Sequence, residues 1–281
     1  ETLRLRGSLY WHCLAGQTAF PVQTAVKFKI PLIIWGAHQG IDQVGMFSHL
    51  DEVEMTRKHR KDHDLMRLEA EDLLAQSPSL TPADTEPYLY PHDRELEATG
   101  CRGIYLNNYF RWDSKAQHEA MIAAHGFEPL VQQRTFDTYN DVDCFHYSGL
   151  HDYTKFLKWG YGKVTDHATR EIRLKRHTRE AGIALVEKYA GAEPRDLGLF
   201  LDWVGMTREA FFEAVDAHRD PRIWSRQGGE WRLQDSVTRH AADSGVDSQR
   251  LGVQEACEFE QTARKPAPHS DRYMLLGRGW V

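Results

Sequence analysis

Apolar positions in the first 135 residues follow a pattern that is typical of an α/β fold. A helix is predicted from Gln17 to Lys29, with Pro21 in its first turn, where proline is tolerated. A proline then precedes the short apolar run Leu32–Trp35, and a glycine ends it. Such a continuous run is typical of a buried parallel strand. A helix that leads into such a strand is half of a βαβ unit. Residues 104–106 predict a second short strand.

The rest of the chain is predicted to be mainly helical. The charge-dense stretch from Ser48 to Gln76 predicts one long helix, and four prolines after it predict a loop. Asp113 or Ser114 is placed to cap a helix that ends before Gly126. Residues 225–245 are polar and predict a surface excursion. From residue 143 onward, apolar spacing and capping residues predict five more helices: Asp143–Trp159, Thr165–Arg176, Thr178–Ala190, Asp196–Val204 and Thr207–His218.

These elements predict an α/β protein with a partial parallel sheet followed by a mostly helical C-terminal region. We place the α/β part at residues 1–135, the helical region at 136–224 and a polar C-terminal extension at 225–281. Two strands alone cannot form a parallel sheet that is buried on both faces. Further strands are therefore expected upstream of the chain or hidden in residues 101–135.

Composition narrows the functional classes. The 281 residues are 41% hydrophobic and 27% charged, which is ordinary for a soluble globular protein. The net charge of −6 argues against a protein that coats nucleic acid. No membrane association is expected, because the longest apolar run, Ile30–Ala37, is too short to span a bilayer, and no signal peptide opens the chain. The four cysteines form no Cys-x-x-Cys pair, so a reducing cytoplasm is the simplest compartment.

Two candidate sites flank the first helix and strand. His12, Cys13, Gly16 and Gln17 are expected just before the helix, where backbone N–H groups can receive an anion. Cys13 beside His12 is either an activated thiolate or, as is more common, a small buried residue.

The second site follows the strand, because ligands of open α/β sheets bind beyond the carboxyl ends of the strands. It comprises Trp35, Gly36, His38 and Asp42. His38 could polarise or deprotonate a ligand, and Asp42 could hold Mg²⁺ or a ligand hydroxyl. The alternative is a polar loop that caps a helix.

Two further candidates lie later in the chain. Asn107, Tyr109, Trp112 and Asp113 follow the second strand and suit sugar stacking and hydroxyl recognition, or else core packing and a helix cap. The other follows Gly160 and Gly162 at a helix start, where a phosphate or sugar could bind; a glycine hinge with a solvated helix is the alternative. Its members are Tyr161, Lys163, Thr165, Asp166, Arg170, Glu171 and Arg173. His59 and His63 have a zinc-compatible spacing but lie among solvated charges, so no metal site is predicted there.

Together these segments resemble the N-acetyl sugar amidotransferases, a family of the PP-loop ATP-pyrophosphatase superfamily that makes acetamidino sugars for bacterial O-antigen and related surface glycans. The resemblance spans roughly residues 8–224 and follows the family's order and spacing. The matching stretches are Trp11–Gly36, Tyr109–Asp113, His151–Arg173 with Thr178–Glu180, Phe200–Glu209 and Asp220-Pro221.

The resemblance implies an adenine-nucleotide alpha-hydrolase-like sheet, the cofactors ATP and Mg²⁺, and a nucleotide-linked acetamido sugar as substrate. Adenylation of the acetamide oxygen would release pyrophosphate, and ammonia would then replace AMP to leave an acetamidine. Glutaminase and synthase-like partners would supply the ammonia. The Trp35–Asp42 segment resembles the loop that faces ATP and acceptor in PP-loop enzymes, which gives His38 and Asp42 the expected catalytic roles.

One family motif is missing. PP-loop enzymes hold pyrophosphate with a Ser-Gly-Gly-x-Asp-Ser loop, and no such string occurs in this chain. We expect it upstream of Glu1, so that the chain would be the downstream part of such an enzyme. Two alternatives stay open: a tRNA-modifying PP-loop relative, or a non-catalytic docking module for a glutaminase partner.

Overall fold

The computed structural model describes residues 1–36, 54–109, 113–138 and 144–243. Short turns of 3₁₀ helix cover Glu86–Tyr88 and Leu106–Asn108, and a π-helical turn covers Arg60–Asp64. The helices are α1 (Thr2–Arg6), α2 (Trp11–Phe28), α3 (Arg57–His59), α4 (Ala70–Gln76), α5 (Pro82–Thr85), α6 (Asp93–Thr99), α7 (Ser114–His125), α8 (Phe145–Trp159), α9 (Lys163–Arg173), α10 (Arg179–Tyr189), α11 (Leu197–Val204) and α12 (Arg208–Asp216). The strands are β1 (Leu32–Trp35), β2 (Arg102–Tyr105), β3 (Trp224–Gln227) and β4 (Glu230–Leu233).

The described residues form two compact units. Residues 10–109 make the α/β unit, which contains α2–α6 with β1 and β2. Residues 1–9 together with residues 113–243 make the helical unit, which contains α1, α7–α12 and the β3–β4 pair. Within the described ranges, no helix is long and apolar enough to cross a membrane.

The long helix α2 begins six residues earlier than predicted, so Pro21 lies in its interior and not in its first turn. The indole of Trp11 is almost fully buried, and its Nε1 donates to the carbonyl of Leu68 at 2.7 Å. An interior proline costs a helix about 3 kcal/mol. Tertiary burial offsets that cost along one face of the helix, formed by Trp11, Ala15, Ala19, Val22 and Ala25.

The predicted parallel pairing is confirmed, because β1 and β2 run parallel with Leu32 opposite Arg102 and Trp35 opposite Tyr105. The predicted burial of β1 is wrong, because Leu32 and Ile34 on one face are 44% and 58% exposed. No further strand joins this sheet within the described ranges, so the described part of residues 101–135 does not supply the additional strands that were one of the two alternatives. The result is a mixed, mostly helical α/β protein with a small parallel sheet.

The single helix predicted up to Gln76 is wrong in its described part. After α3 the backbone widens into the π-helical turn, and Met66 and Arg67 adopt left-handed backbone angles before α4 begins. The fully buried guanidinium of Arg60 reaches Glu69 at 2.6 Å, so a contact between the π-helical turn and the start of α4 accompanies this break in the helix. The loop predicted after Gln76 instead contains α5, with Pro82 at its first position, and α6.

The predicted helices of the helical unit are confirmed, with no end shifted by more than three residues. Thr178 and Thr207 accept backbone N–H bonds as N-caps of α10 and α12, and Gly205 ends α11 in a left-handed conformation. These helices enclose a core in which residues of α1, α8, α11 and α12 meet. Its members are Leu3, Leu9, Leu150, Tyr153, Leu157, Leu197, Phe200, Leu201, Phe211 and Val215.

The polar surface excursion predicted from residue 225 begins instead as an antiparallel hairpin. Strands β3 and β4 are joined by Gly228 and Gly229, whose φ angles of 60° and 89° fit a two-residue hairpin turn. The guanidinium of Arg219 lies over the rings of both Trp224 and Trp231, at 4.4 and 4.9 Å from their centroids. Packing of tryptophans on this arginine therefore holds the hairpin against the helices.

Candidate functional site

The carboxyl ends of β1 and β2 form the first candidate region, because parallel strands present those ends at one edge of a sheet. Asp64, at the end of the π-helical turn, is largely buried, and burial raises its pKa to about 6 against the opposing charge of Arg60. Its charge also contributes, after burial, to the raised pKa of Tyr105, the last residue of β2. Asp64 therefore lies close to this strand end, although sequence patterns gave no sign of it.

The buried Arg60 organises the same region. Its Nε donates to Thr18 of α2 at 2.8 Å, and its guanidinium lies 4.7 Å from the ring centroid of Tyr90. Burial raises the pKa of Tyr90 to about 12. These contacts tie α2, the π-helical turn and the segment after α5 together, which favours a structural role for Arg60.

His12, Cys13, Gly16 and Gln17 lie inside α2 and not in a loop before a helix, which corrects their predicted placement. The sulfur of Cys13 is 3.4 Å from Nε2 of His12, and burial lowers the pKa of that imidazole. Gly16 faces the ring of Tyr88, and Gln17 is exposed. The choice between a reactive thiol and a packed cysteine stays open.

Other predicted residues of the α/β unit are partly described. Trp35 ends β1 half-buried, and Gly36 follows it exposed. Asn107 is buried in a 3₁₀ turn, and Tyr109 is half-buried beside it. His38, Asp42 and Trp112 lie outside the described residues.

Asp113 belongs to the helical unit, where it joins a chain of ion pairs that runs from a partly buried to a buried position. It caps α7 and accepts from Nη1 of Arg176 at 2.8 Å. Arg176 also donates to Glu171 at 2.5 Å, Glu171 accepts from Arg170 at 3.0 Å, and Arg170 donates to Asp137 at 2.5 Å. Burial would raise the pKa of Glu171, but the bonds from Arg176 and Arg170 lower it to about 2.

This network bears on the predicted roles of Arg170 and Glu171. Both side chains are at least 95% buried, and their charges are directed at protein groups. His167 lies beside them, with Nδ1 2.8 Å from the hydroxyl of Thr135, and burial lowers its pKa. The arrangement favours a structural role that fixes α9 against the segment before α8.

The other predicted residues at or near the start of α9 differ in their burial and in their contacts. Asp166 pairs with Lys155 at 2.6 Å, and the Lys155 ammonium lies 4.4 Å from the ring centroid of Tyr161, which is exposed. Burial raises the pKa of Asp166 although Lys155 opposes the shift. The buried hydroxyl of Thr165 has no hydrogen-bond partner among the described residues, and Arg173 is exposed.

Lys163, the first residue of α9, lines a small pocket of the helical unit, together with other polar and apolar side chains. Its Nζ donates to the hydroxyl of Ser148 at 2.6 Å, and its backbone N–H donates to Asp152 at 2.5 Å. The buried carboxylate of Asp152 also accepts from Nε of Arg134 at 2.7 Å. The pocket encloses about 40 Å³, and its lining includes Val131 and Phe145, which are 82% and 50% exposed.

Sequence patterns identified only Lys163 among these residues. Ser148, Asp152 and Arg134 were missed because no local spacing links them to α9. The nearest signal was Gly162, where a Cβ would stand 2.8 Å from Oδ1 of Asp152, so that the carboxylate can approach the helix only at a glycine.

Binding of ATP and Mg²⁺ stays a prediction, because His38 and Asp42, which were expected to face them, lie outside the described residues. The described residues contain no group of three or more His, Cys, Asp or Glu residues that could hold a metal ion. The single Gly-Gly pair of the sequence forms the turn between β3 and β4, which is not a phosphate loop. No step through ATP is therefore assigned to these residues.

The pocket falls mostly within the part of the chain that is similar to a known family. Residues 133–238 match the family model described as LPS biosynthesis protein WbpG-like, C-terminal domain. The match covers less than half of the chain, and the described residues within it all belong to the helical unit. No curated protein sequence matches the chain. The match supports a WbpG-type family of glycan biosynthesis and links the helical unit to lipopolysaccharide biosynthesis.

Proposed function

We propose that the chain is the acceptor-binding part of an ATP-dependent amidotransferase for bacterial surface glycans. The enzyme would convert an acetamido group of a nucleotide-linked sugar into an acetamidino group. The match of residues 133–238 to a domain of lipopolysaccharide biosynthesis carries this proposal. The resemblance to the N-acetyl sugar amidotransferases, over roughly residues 8–224, supplies the reaction.

The role proposed for this chain is to bind and orient the sugar. The carbonyl oxygen of an acetamide is replaced by nitrogen only after it has been made a better leaving group. ATP is the expected activating reagent, and residues outside the described ranges would hold it. The helical unit offers a pocket lined by both apolar and polar side chains, which suits a sugar derivative that carries both hydroxyl and charged groups.

Ammonia is the expected nitrogen donor. Because ammonia is scarce at neutral pH, we propose that a glutaminase supplies it and that a synthase-like protein helps to deliver it. When pyrophosphate release is measured, ammonium salt should replace both partners. Glutamine should support the reaction only when the glutaminase is present.

The test measures pyrophosphate release by the intact cellular protein, with UDP-N-acetylglucosamine and a diacetamido sugar nucleotide as probes. Release should require ATP, Mg²⁺, an acetamido sugar nucleotide and ammonium together. Mass spectrometry should then find an oxygen replaced by an NH group in the sugar. Pyrophosphate release that does not depend on the sugar, or no release with any acetamido sugar nucleotide, would contradict the proposal.

A further inference from the structure

We propose that the pocket beside α9 binds one oxyanion group, a phosphate or a carboxylate, of a larger ligand. The proposal rests on the proposed function for the identity of that ligand as a nucleotide-linked sugar. The pocket itself is argued from its size, its hydrogen-bonding groups and its rim.

The size of the pocket limits what it can enclose. A volume of about 40 Å³ holds only a few water-sized groups. A phosphate or a carboxylate fits within this limit, whereas a whole sugar nucleotide does not. The enclosed group must therefore be one end of a ligand that continues across the pocket rim.

Both carboxylates of the pocket are already used by the protein. Asp152 accepts hydrogen bonds from Arg134 and from the first N–H of α9. Asp196 lies 3.0 Å from Nδ1 of His146 and 3.6 Å from Nε of Arg195. These carboxylates therefore offer little to a cationic ligand.

The groups that remain are hydrogen-bond donors. The hydroxyl oxygen of Ser148 accepts from the Lys163 ammonium, so its own proton is directed elsewhere. Gln133 uses its carbonyl oxygen to accept the backbone N–H of Arg195, which leaves its amide NH₂ to donate. Arg134 is used by Asp152 and by the carbonyls of Ala190 and Ala192. Lys163 and Arg195 still line the pocket against the carboxylate of Asp196, and α9 adds the positive end of its dipole. An oxyanion is the ligand group that matches this excess of donors.

The rim shows where the rest of the ligand would lie. Two lining residues, Phe145 and Val131, expose apolar surface to solvent, and we take them as the rim of the pocket. Such surface suits the apolar face of a sugar ring or a base. The donors of the pocket would bind the anionic group of the ligand, and these exposed side chains would contact its ring.

Isothermal titration calorimetry on the full chain tests the assignment, with UDP-N-acetylglucosamine, UDP and free glucuronate as probes. The variants are S148A, R195Q and K163Q. We expect R195Q and S148A each to weaken binding of the sugar nucleotide by about tenfold, which equals about 1.4 kcal/mol. Competition by UDP would identify the enclosed group as a phosphate, and competition by glucuronate would identify it as a carboxylate.

K188Q serves as the matched control, because Lys188 is an exposed cation on α10 that does not line the pocket. Arg195 is also exposed, so R195Q tests the pocket even if K163Q fails to fold. Sugar-nucleotide binding that is equal in all pocket variants and wild type would overturn the pocket assignment and leave the proposed function standing. UDP or glucuronate binding that is sensitive to these variants, without binding of the sugar nucleotide, would support the pocket and contradict the proposed function. No binding of any probe would overturn the pocket assignment.

Discussion

Among single residues, Gly162 is the one whose identity the structure constrains most directly. It precedes α9, and a Cβ at this position would stand 2.8 Å from Oδ1 of Asp152. We predict that G162A displaces the Asp152 carboxylate and lowers the free energy of unfolding by about 1–3 kcal/mol, as overpacking of a tight site does. Urea unfolding measures the change.

The control for this prediction is G191A. Position 191 has open space around an added Cβ, and its φ angle is not in the left-handed region. We expect a change within about 0.5 kcal/mol there. Equal effects of the two substitutions would show that contact with Asp152 does not set the requirement for glycine.

Asp64 gives stability a dependence on pH that can be measured. Burial raises its pKa to about 6, so the folded state disfavours the ionised form. The corresponding stability is fully present below the ordinary pKa of an aspartate and is lost as the pH rises to about 6. We predict that D64N raises the free energy of unfolding at neutral pH by about 1–3 kcal/mol and changes it little near pH 4.

Urea unfolding of D64N and wild type across this pH range measures the effect. D62N is the matched control, because Asp62 lies on the same π-helical turn and pairs with the exposed Arg67 at 3.4 Å. An exposed pair of this kind contributes little to stability. If D64N shows no gain at neutral pH, the carboxylate of Asp64 is not held in a desolvated environment.

The candidate pocket shows which residue roles sequence alone can predict. Asp113 was one of two predicted caps, beside Ser114, and Lys163 was predicted near a helix start, because both roles depend on near neighbours in the chain. Asp152 and Arg134 act through contacts that span 11 to 58 residues, and no periodicity reports such contacts. Only the three-dimensional structure, in which Asp152 of α8 contacts the start of α9, shows these roles.

At the scale of elements, the β3–β4 hairpin depends on two tryptophans that sandwich Arg219. Trp231 also donates from Nε1 to Asp216 at 2.7 Å. We predict that W231A lowers the free energy of unfolding by about 2 kcal/mol, because a cation–π contact and a hydrogen bond are both lost. Limited proteolysis should then cut faster in the turn at Gly228 and Gly229.

W203A is the control for the hairpin prediction. Trp203 is 74% exposed on α11, so its removal should leave the thermal unfolding temperature nearly unchanged. If W231A leaves the cleavage rate of the turn as it is in wild type, the stacking on Arg219 is not what holds the hairpin.

Elements with strong local signals were the ones that sequence predicted well. Among the helices after residue 144, α10 and α12 have threonine N-caps, and α8 and α11 end at glycines. The bounds of these helices were predicted to within a few residues. The start of α2 and the π-helical turn were missed because the burial of Trp11 and Arg60 decides them. The hairpin had a local signal, the Gly228-Gly229 pair between two short segments. It was missed because the polar composition of residues 225–245 favoured a loop.

On the scale of the whole molecule, the path of the chain separates sequence neighbours and joins distant segments. Residues 1–9 belong to the helical unit, although residues 10–109 stand between them and the rest of that unit in sequence. Helix α1 has only five residues and no side-chain N-cap bond, so it cannot be stable alone. Contacts within the helical unit hold it: Lys158 donates to the carbonyl of Arg6 at 3.1 Å, and His218 donates to that of Arg4 at 2.8 Å.

Leu3 tests whether this first segment is part of the core of the helical unit. It is 6% exposed and belongs to the same apolar cluster as Leu150 and Phe211. We predict that L3A lowers the free energy of unfolding by about 2–4 kcal/mol and speeds hydrogen exchange in α8 and α12, because a cavity is left against both helices. L199A, at an exposed leucine of α11, should change neither quantity measurably. Faster exchange in L3A that is confined to residues 1–9 would mean that the segment rests on the core without supporting it.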